Sequence, residues 1–272
     1  MAQWPDGPEI ALPAGDVAEG VVRIGDTVRR PHQPTSAAVA TYLNHLESVG
    51  FAGAPRYLGR DQRGRDVLSF IDGEVAGDPV EPWAAADAVL PSVGRLVRTL
   101  HEASDGWVPD VPLGTHVPGR PAPPFPEGER RLVSQKDVTA QNVVFRGGSA
   151  VALIDFDLVG WTTRSVDLAN TAMHWAPLAD PRDRGPAYEH VDVAERLRLL
   201  LEAYGTDSVS GAQLLDAAAL RFGATYDSMR WNAAHLGGGW ARMWDRGVGD
   251  LILRRVAWFA GARAELAAAL RG

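Results

Sequence analysis

One stretch of this chain, residues 134 to 157, constrains its fold more than any other. It reads Ser-Gln-Lys-Asp-Val-Thr-Ala-Gln-Asn-Val-Val-Phe-Arg-Gly-Gly-Ser-Ala-Val-Ala-Leu-Ile-Asp-Phe-Asp. Asn142-Val143-Val144-Phe145 and Val151-Ala152-Leu153-Ile154 are β-rich runs. The intervening Arg146-Gly147-Gly148-Ser149-Ala150 is a turn, with glycines where positive φ is needed. A hairpin symmetric about Gly148 sets Asn142 opposite Ile154 and so beside Asp155, with side chains about 5 Å apart. An amide oxygen and a carboxylate then converge on one point. Magnesium takes such oxygen ligands, commonly with one or two carboxylates and the rest of its shell from water and phosphate. Asp137 lies on a loop entering the same end of the hairpin, within reach of a hydroxyl aimed at a metal-bound phosphate. Phosphoryl transfer needs a positioned nucleophile, an acceptor for its proton, and neutralised phosphate charge. The pattern therefore predicts a phosphoryl-transfer site with Asp137 as base and Asn142 and Asp155 on magnesium.

Composition narrows the setting. The chain has 272 residues, 46% of them hydrophobic, enough to bury a substantial core in one large domain or two lobes. With no cysteine, disulfides, thiolate metal sites and cysteine nucleophiles are excluded. The first residues lack the basic start and apolar run of a signal peptide, and no segment approaches 18 consecutive apolar residues, so a soluble cytoplasmic protein without a membrane partner is expected. A net charge of -7 argues against nucleic-acid binding and tolerates a cationic small molecule. Of the 27 basic residues only Lys136 is a lysine, and it lies in the stretch that opened this section.

Along the chain, Val21 to Ile24 and Thr27 to Arg30 flank Gly25-Asp26 as a hairpin, which Pro31 stops. Thr35 or Ser36 caps a helix carrying Val39, Leu43 and Leu46, ending near Gly50. Strands at 56–59 and 66–71 surround a turn at 61–64. A helix from about Pro82 to Ala103 is expected to be kinked or restarted at Pro91, with Leu90, Val93, Leu96, Val97 and Leu100 on one face. Residues 107–128 read as an irregular loop. Further helices are expected at 165–175, 191–204, 211–227, 228–245 and 249–270.

Asp-x4-Asn, a strand, a Gly-rich turn and an apolar strand ending in Ile-Asp-Phe-Asp together resemble the aminoglycoside phosphotransferase and choline kinase-like family. Its catalytic loop is His-Gly-Asp-x4-Asn and its metal motif Ile-Asp-Trp/Phe-Asp/Glu. Supporting likenesses are residues 20–31, Ala54 to Gly59, Leu100-His101 and Asp167-Leu168-Ala169. The resemblance implies an α+β, bilobal protein kinase-like fold. Residues 1–72 would be a small β-rich nucleotide-binding lobe with one helix, and 73–272 a larger, mostly helical lobe with the catalytic hairpin and substrate site. It implies an enzyme that uses ATP or GTP and Mg2+ to phosphorylate a hydroxyl of a small molecule, aminoglycoside-like, an amino-alcohol or a related metabolite. Asp137 is then the base, Asn142 and Asp155 hold the metal, Asp157 assists or orients the metal site, and Asp167 braces the catalytic loop. Ser69, Phe70 and Ile71 fall at the interlobe hinge that offers backbone groups to a purine, and the segment from Gly15 through Asp16 to Gly20 at a phosphate-covering loop.

Two departures stand out. Gln135 and Lys136 replace the family's His and Gly, and a Gln amide can replace the backbone hydrogen bonds of a neutral imidazole. The family's small-lobe strand lysine is also missing. Arg29 and Arg30 end the corresponding strand with opposite-facing side chains, so only one of them can point at the nucleotide; Arg30, on the face of Val21 and Val28, is favoured, with a surface arginine the alternative for either. Glu47 is a candidate partner for that arginine, and Lys136 a third candidate for the phosphate cation. Acids and aromatics of the helical part, among them His174, Trp175, Asp180, Asp183, Glu189, His190, Trp231, Trp240, Trp244 and Asp245, suit an amine or sugar-amine. The departures also leave open a catalytically silent module that binds a nucleotide or ligand. The short span from Asp155 to Asp167 disfavours protein substrates.

Overall fold

Arg23 and Val28 face each other across a two-residue turn, Gly25-Asp26, in which Gly25 takes φ 57°, a left-handed conformation that costs glycine little. This hairpin, β2 (Val22–Ile24) and β3 (Thr27–Arg30), is the middle of an antiparallel five-stranded sheet. With β1 (Ile10–Ala11), β4 (Tyr57–Arg60) and β5 (Asp66–Ser69), its order is β1-β2-β3-β5-β4. The structure, a computed structural model, describes residues 4, 7–12, 20–113 and 119–271. The segment from Gly15 through Asp16, expected to cover phosphate, lies outside the described residues.

Helix α1 (Ser36–Ser48) buries Val39, Tyr42, Leu43 and Leu46, spaced three and four residues apart. Leu43 and Leu46 are wholly buried, and each such side chain contributes about 1.5–3 kcal/mol. Tyr42 anchors the helix to the rest of the molecule: its hydroxyl contacts Ser104 Oγ at 2.6 Å and donates to the Val133 carbonyl at 3.0 Å. At the other end, Ser36 Oγ donates to the buried Asp66 carboxylate of β5.

The remainder is mostly helical. Helix α2 (Leu90–Ala103) buries the expected face, but it starts at Leu90 and not at Pro82. Pro91 sits in its first turn, where the missing N–H has no intrahelical partner to lose. Gly94 lets α2 approach α4 (Val193–Tyr204) closely, since a Cβ there would stand 2.8 Å from the Leu200 carbonyl oxygen. Strand β6 (Arg131–Ser134) leads into the loop that carries Asp137 and pairs with β9 (Gly160–Thr163), a ladder that the sequence alone does not announce. Between them lies the hairpin β7 (Val143–Arg146) and β8 (Ser149–Leu153). Its turn is only Gly147-Gly148, at φ 55° and 76°, because a bulge after Val144 takes up the residue that the expected longer turn would hold.

Helix α3 (Arg164–Trp175) follows, its N-terminus capped by Thr163 Oγ1, which accepts from the Val166 amide at 3.3 Å. Where two helices at 211–227 and 228–245 were expected, α5 runs unbroken from Gly211 to Leu236, and α6 spans Gly238–Asp245. The break falls at Gly237, whose φ of 64° ends the helix. Helix α7 (Val248–Ala269) completes the chain. Among the described residues no helix is long and apolar enough to cross a membrane. The small antiparallel sheet with one helix, beside a larger helical part, is the expected α+β architecture.

Candidate active site

The base of the hairpin has the expected register. Val143 pairs with Leu153, and the Ile154 amide donates to the Asn142 carbonyl at 2.9 Å, so Asn142 stands opposite Ile154 and next to Asp155. On the loop before it, Asn142 Nδ2 donates to the Asp137 carboxylate and to the Asp137 carbonyl, both at 2.9 Å. That spends the nitrogen of the amide and leaves its Oδ1 as a lone-pair donor. Asp155 Oδ1 weakly accepts from the Asp157 amide at 3.4 Å. Burial, and then the charge of Asp157, raise the Asp155 carboxyl above its ordinary range, with Arg30 opposing. Crowded carboxylates beside a free amide oxygen are an all-oxygen set short of positive charge, which fits a magnesium ion.

Part of that charge comes from the small sheet. Arg30 ends β3, donates to the Asp157 carboxylate, and lies 3.9 Å from Asp155. Arg29 faces the other way: its guanidinium donates to Thr27 Oγ1 and lies 3.7 Å from Asp61, and burial lowers its pKa. Strand parity thus sends one arginine into the cleft and the other away from it. Glu47 joins neither; it lies 3.7 Å from Arg56 on the surface. The Lys136 ammonium pairs with neither of these carboxylates, and its Nζ lies 2.9 Å from where a Cβ on Gly160 would stand.

Lys136 and Asp155 have φ of 69° and 54°, the positive-φ non-glycine residues among those described. Each such residue costs about 1–2 kcal/mol relative to ordinary backbone, and strain of this kind gathers where geometry is over-determined. Gln135 supplies that determination. It is fully buried; its Nε2 donates to the carbonyls of Asp155 (2.8 Å), Ile154 (3.0 Å) and Asp137 (3.2 Å), and its Oε1 accepts from the Asp137 amide at 2.6 Å. One side chain thereby ties the loop of Asp137 to the backbone that carries Asp155. One residue earlier, Ser134 Oγ donates to Asp167 of α3 at 2.7 Å, and Asp167 also contacts His101 Nε2 at 2.9 Å.

At the hinge the backbone is partly engaged. The Ser69 amide donates to Arg56 and the Phe70 amide to Asp26, at 2.9 and 2.8 Å, so neither donor is open to a base. Ile71 has no such bond among the described residues. On the helical side, Trp175 is core, and the acids expected to hold an amine are already taken: Asp180 pairs with Arg182 and Asp183 with Arg254. Trp231 stacks on His235, Trp244 meets Tyr226 edge-on, and Glu189 and His190 are exposed.

This combination of small sheet, catalytic-loop hairpin and helical base defines a small-molecule phosphotransferase on a protein kinase-like fold. Residues 120–231 match the model of the phosphotransferase enzyme family known as APH. The chain is 34% identical over 202 residues to the Trifolitoxin immunity protein of Rhizobium leguminosarum bv. trifolii, a span of 72% of this chain and 74% of that protein. Among solved structures it resembles a choline/ethanolamine kinase family protein from Mesorhizobium loti, at 16% identity and TM-score 0.58, over 97% of this chain and 92% of that one. It also resembles the microcompartment-associated aminopropanol kinase, at 15% identity and TM-score 0.58, over 94% and 90% of the two chains. The chain belongs to the aminoglycoside phosphotransferase family.

Proposed function

We propose that this protein moves the γ-phosphate of ATP or GTP to a hydroxyl of a small molecule, in the cytoplasm and with Mg2+ as cofactor. Asp137 accepts the proton of the attacking hydroxyl. Asn142 and Asp155 hold the metal, Asp157 orients that site, and Arg30 leaves Asp157 to bind the phosphates by its planar fork. Magnesium bound there supplies neutralisation of the charge on the transferring phosphoryl group. Residues 1–72 act as the nucleotide lobe, with Ile71 and its neighbours at the purine, and 73–272 as the catalytic and acceptor lobe.

The observation that carries this reading is the Asn142 amide bonded at 2.9 Å to the Asp137 carboxylate, on the loop that Gln135 ties to Asp155. It supports the assignment of a base and a metal-suited oxygen set to one cleft. Further support comes from the amicoumacin kinase, solved with AMP-PNP and Ca2+, which aligns over 88% of this chain at 11% identity and TM-score 0.56. The names of that kinase and of the aminopropanol kinase support an acceptor of antibiotic or amino-alcohol type.

The test is calorimetric titration with ATP and GTP, with and without magnesium, followed by turnover with a panel of hydroxyl compounds. Metal-dependent nucleotide binding is expected, and Asp137→Asn should lower turnover by about 10²–10⁴ without unfolding the chain. A second reading, a silent ligand-binding module, is favoured by the Arg30–Asp157 ion pair and by likeness to a protein named for immunity. Nucleotide binding that ignores magnesium, or no nucleotide binding at all, would select it.

A further inference from the structure

A pocket of about 240 Å3 opens beside the loop that carries Asp137. One wall is Thr139, Ala140 and Gln141, the turn between Asp137 and Asn142. Two backbone bonds close that turn: the Thr139 amide donates to the Asp137 carbonyl at 2.8 Å, and the Asn142 amide to the Thr139 carbonyl at 3.1 Å. A second wall begins at Asp78, in a stretch tied to the loop by Gln141 Nε2, which donates to the Gly77 carbonyl at 2.7 Å. His174 of α3 forms a third, and the next residue holds that helix against the loop, since Trp175 Nε1 donates to the Val138 carbonyl at 2.7 Å. Tyr188 completes the lining. Its ring lies 5.4 Å from the guanidinium of the buried Arg196, which in turn donates to the Trp175 carbonyl at 2.9 Å.

The lining is polar and carries one charge. No lysine or arginine belongs to it, so a carboxylate or phosphate on a ligand would be desolvated there without a counter-charge. Among the described residues the side chains of Asp78, Thr139, His174 and Tyr188 make no hydrogen bond or ion pair, and Gln141 spends only its nitrogen. Burial, then Arg255 and Arg221, hold His174 down at about 4, so at neutral pH its ring offers one donor and one acceptor. Two hydroxyls, a neutral imidazole and an amide oxygen around one pocket match several hydroxyl groups on one ligand. Asp78 answers a single positive charge, whereas Asp180 and Asp183 are already engaged by Arg182 and Arg254. At about 30 Å3 for each water, the volume equals roughly eight waters, which is the bulk of one sugar ring and well short of a multi-ring polyamine.

We propose that this pocket binds the phosphoryl acceptor and that the acceptor is a single-ring amino sugar, its one amine on Asp78 and its hydroxyls on Thr139, Gln141, His174 and Tyr188. The proposal rests on the phosphotransferase reading above and narrows its acceptor. A simple amino-alcohol leaves most of these polar groups unmatched, and a multi-ring aminoglycoside brings several amines to a wall with one acid.

The experiment titrates glucosamine, glucose, ethanolamine and kanamycin calorimetrically into the full chain, with and without magnesium and AMP-PNP. Glucosamine is expected to bind tightest, with glucose and ethanolamine each weaker by about tenfold or more. Asp78 is exposed, so Asp78→Asn leaves the fold intact; it should abolish the preference for glucosamine over glucose and leave glucose unchanged. Tyr188→Phe should weaken both sugars alike, by about threefold or more. No binding of glucosamine, tighter binding of kanamycin or ethanolamine, or a preference that survives Asp78→Asn overturns the proposal. Failure of AMP-PNP to bind with magnesium counts against the phosphotransferase reading instead, and the titrations without nucleotide then still decide the pocket.

Discussion

Replacing Gln135 by alanine removes four hydrogen bonds at once, and the structure says which groups lose by it. The Asp137 carbonyl keeps its bonds from Asn142 Nδ2 and the Thr139 amide. The Asp137 amide and the carbonyls of Ile154 and Asp155 lose the partner Gln135 gives them, in a place where that side chain is fully buried. A buried polar group left unpaired costs about 1–3 kcal/mol, and a water entering the vacated volume recovers part of it. The expected loss is roughly 3–5 kcal/mol, read as a lower denaturant midpoint at unchanged slope. Gln135→Leu fills the volume, shuts out that water, and should cost at least as much. Gln135→His restores one donor and one acceptor and should recover a part of the loss. Turnover should fall with stability in the alanine chain, because the bonds lost set Asp137 against Asp155. A cost below about 1 kcal/mol, with turnover within threefold of the parent, would refute the claim that this side chain holds the site together.

Other changes follow from the same geometry. Lys136→Gly should stabilise the chain by about 1 kcal/mol in denaturant unfolding, since glycine accepts φ near 69° without the Cβ penalty. Gly94→Ala should cost about 1–3 kcal/mol by pushing α2 off the Leu200 carbonyl, and a thermal melt would show it as a drop of several degrees. His174, with its pKa held near 4 in the fold, takes up its proton more readily when unfolded. Its neutral form therefore supports stability in full above about pH 6.5, and that support fades as pH falls toward 4. The pH 5 to 7 stability difference should shrink in His174→Gln, and an equal difference in both chains would contradict the assigned burial.

The elements legible in the sequence are those written locally. The Gly25-Asp26 and Gly147-Gly148 turns announce their hairpins, and the face of α2 repeats at helical spacing. Pairing of β6 with β9 escaped notice because it joins 131–134 to 160–163, and short runs carry no mark of a distant partner. The break in the long helical stretch was misplaced because Ala, Leu and Arg continue a helix equally well on both sides of 227, whereas the stop is Gly237. At the site, parity separated Arg30 from Arg29, and hairpin register placed Asn142 by Asp155. Glu47 misled, since charge sign says nothing of direction.

Gln135 and Lys136 replace neighbouring residues of the family motif, and their physical consequences oppose each other. Glutamine keeps the backbone bonds that place Asp137, so its arrival leaves the site's geometry standing. Lysine brings a side chain into a left-handed position that glycine would occupy without strain, at a cost of about 1–2 kcal/mol. It also carries the chain's only ammonium into a half-buried place among arginines, where desolvation and repulsion add to that cost. Neither penalty is offset by a bond the ammonium makes within the described fold. Attraction to Asp167 opposes that desolvation and repulsion, so the net cost of lysine over glycine at this position is the backbone strain together with whatever desolvation and repulsion that attraction leaves uncancelled.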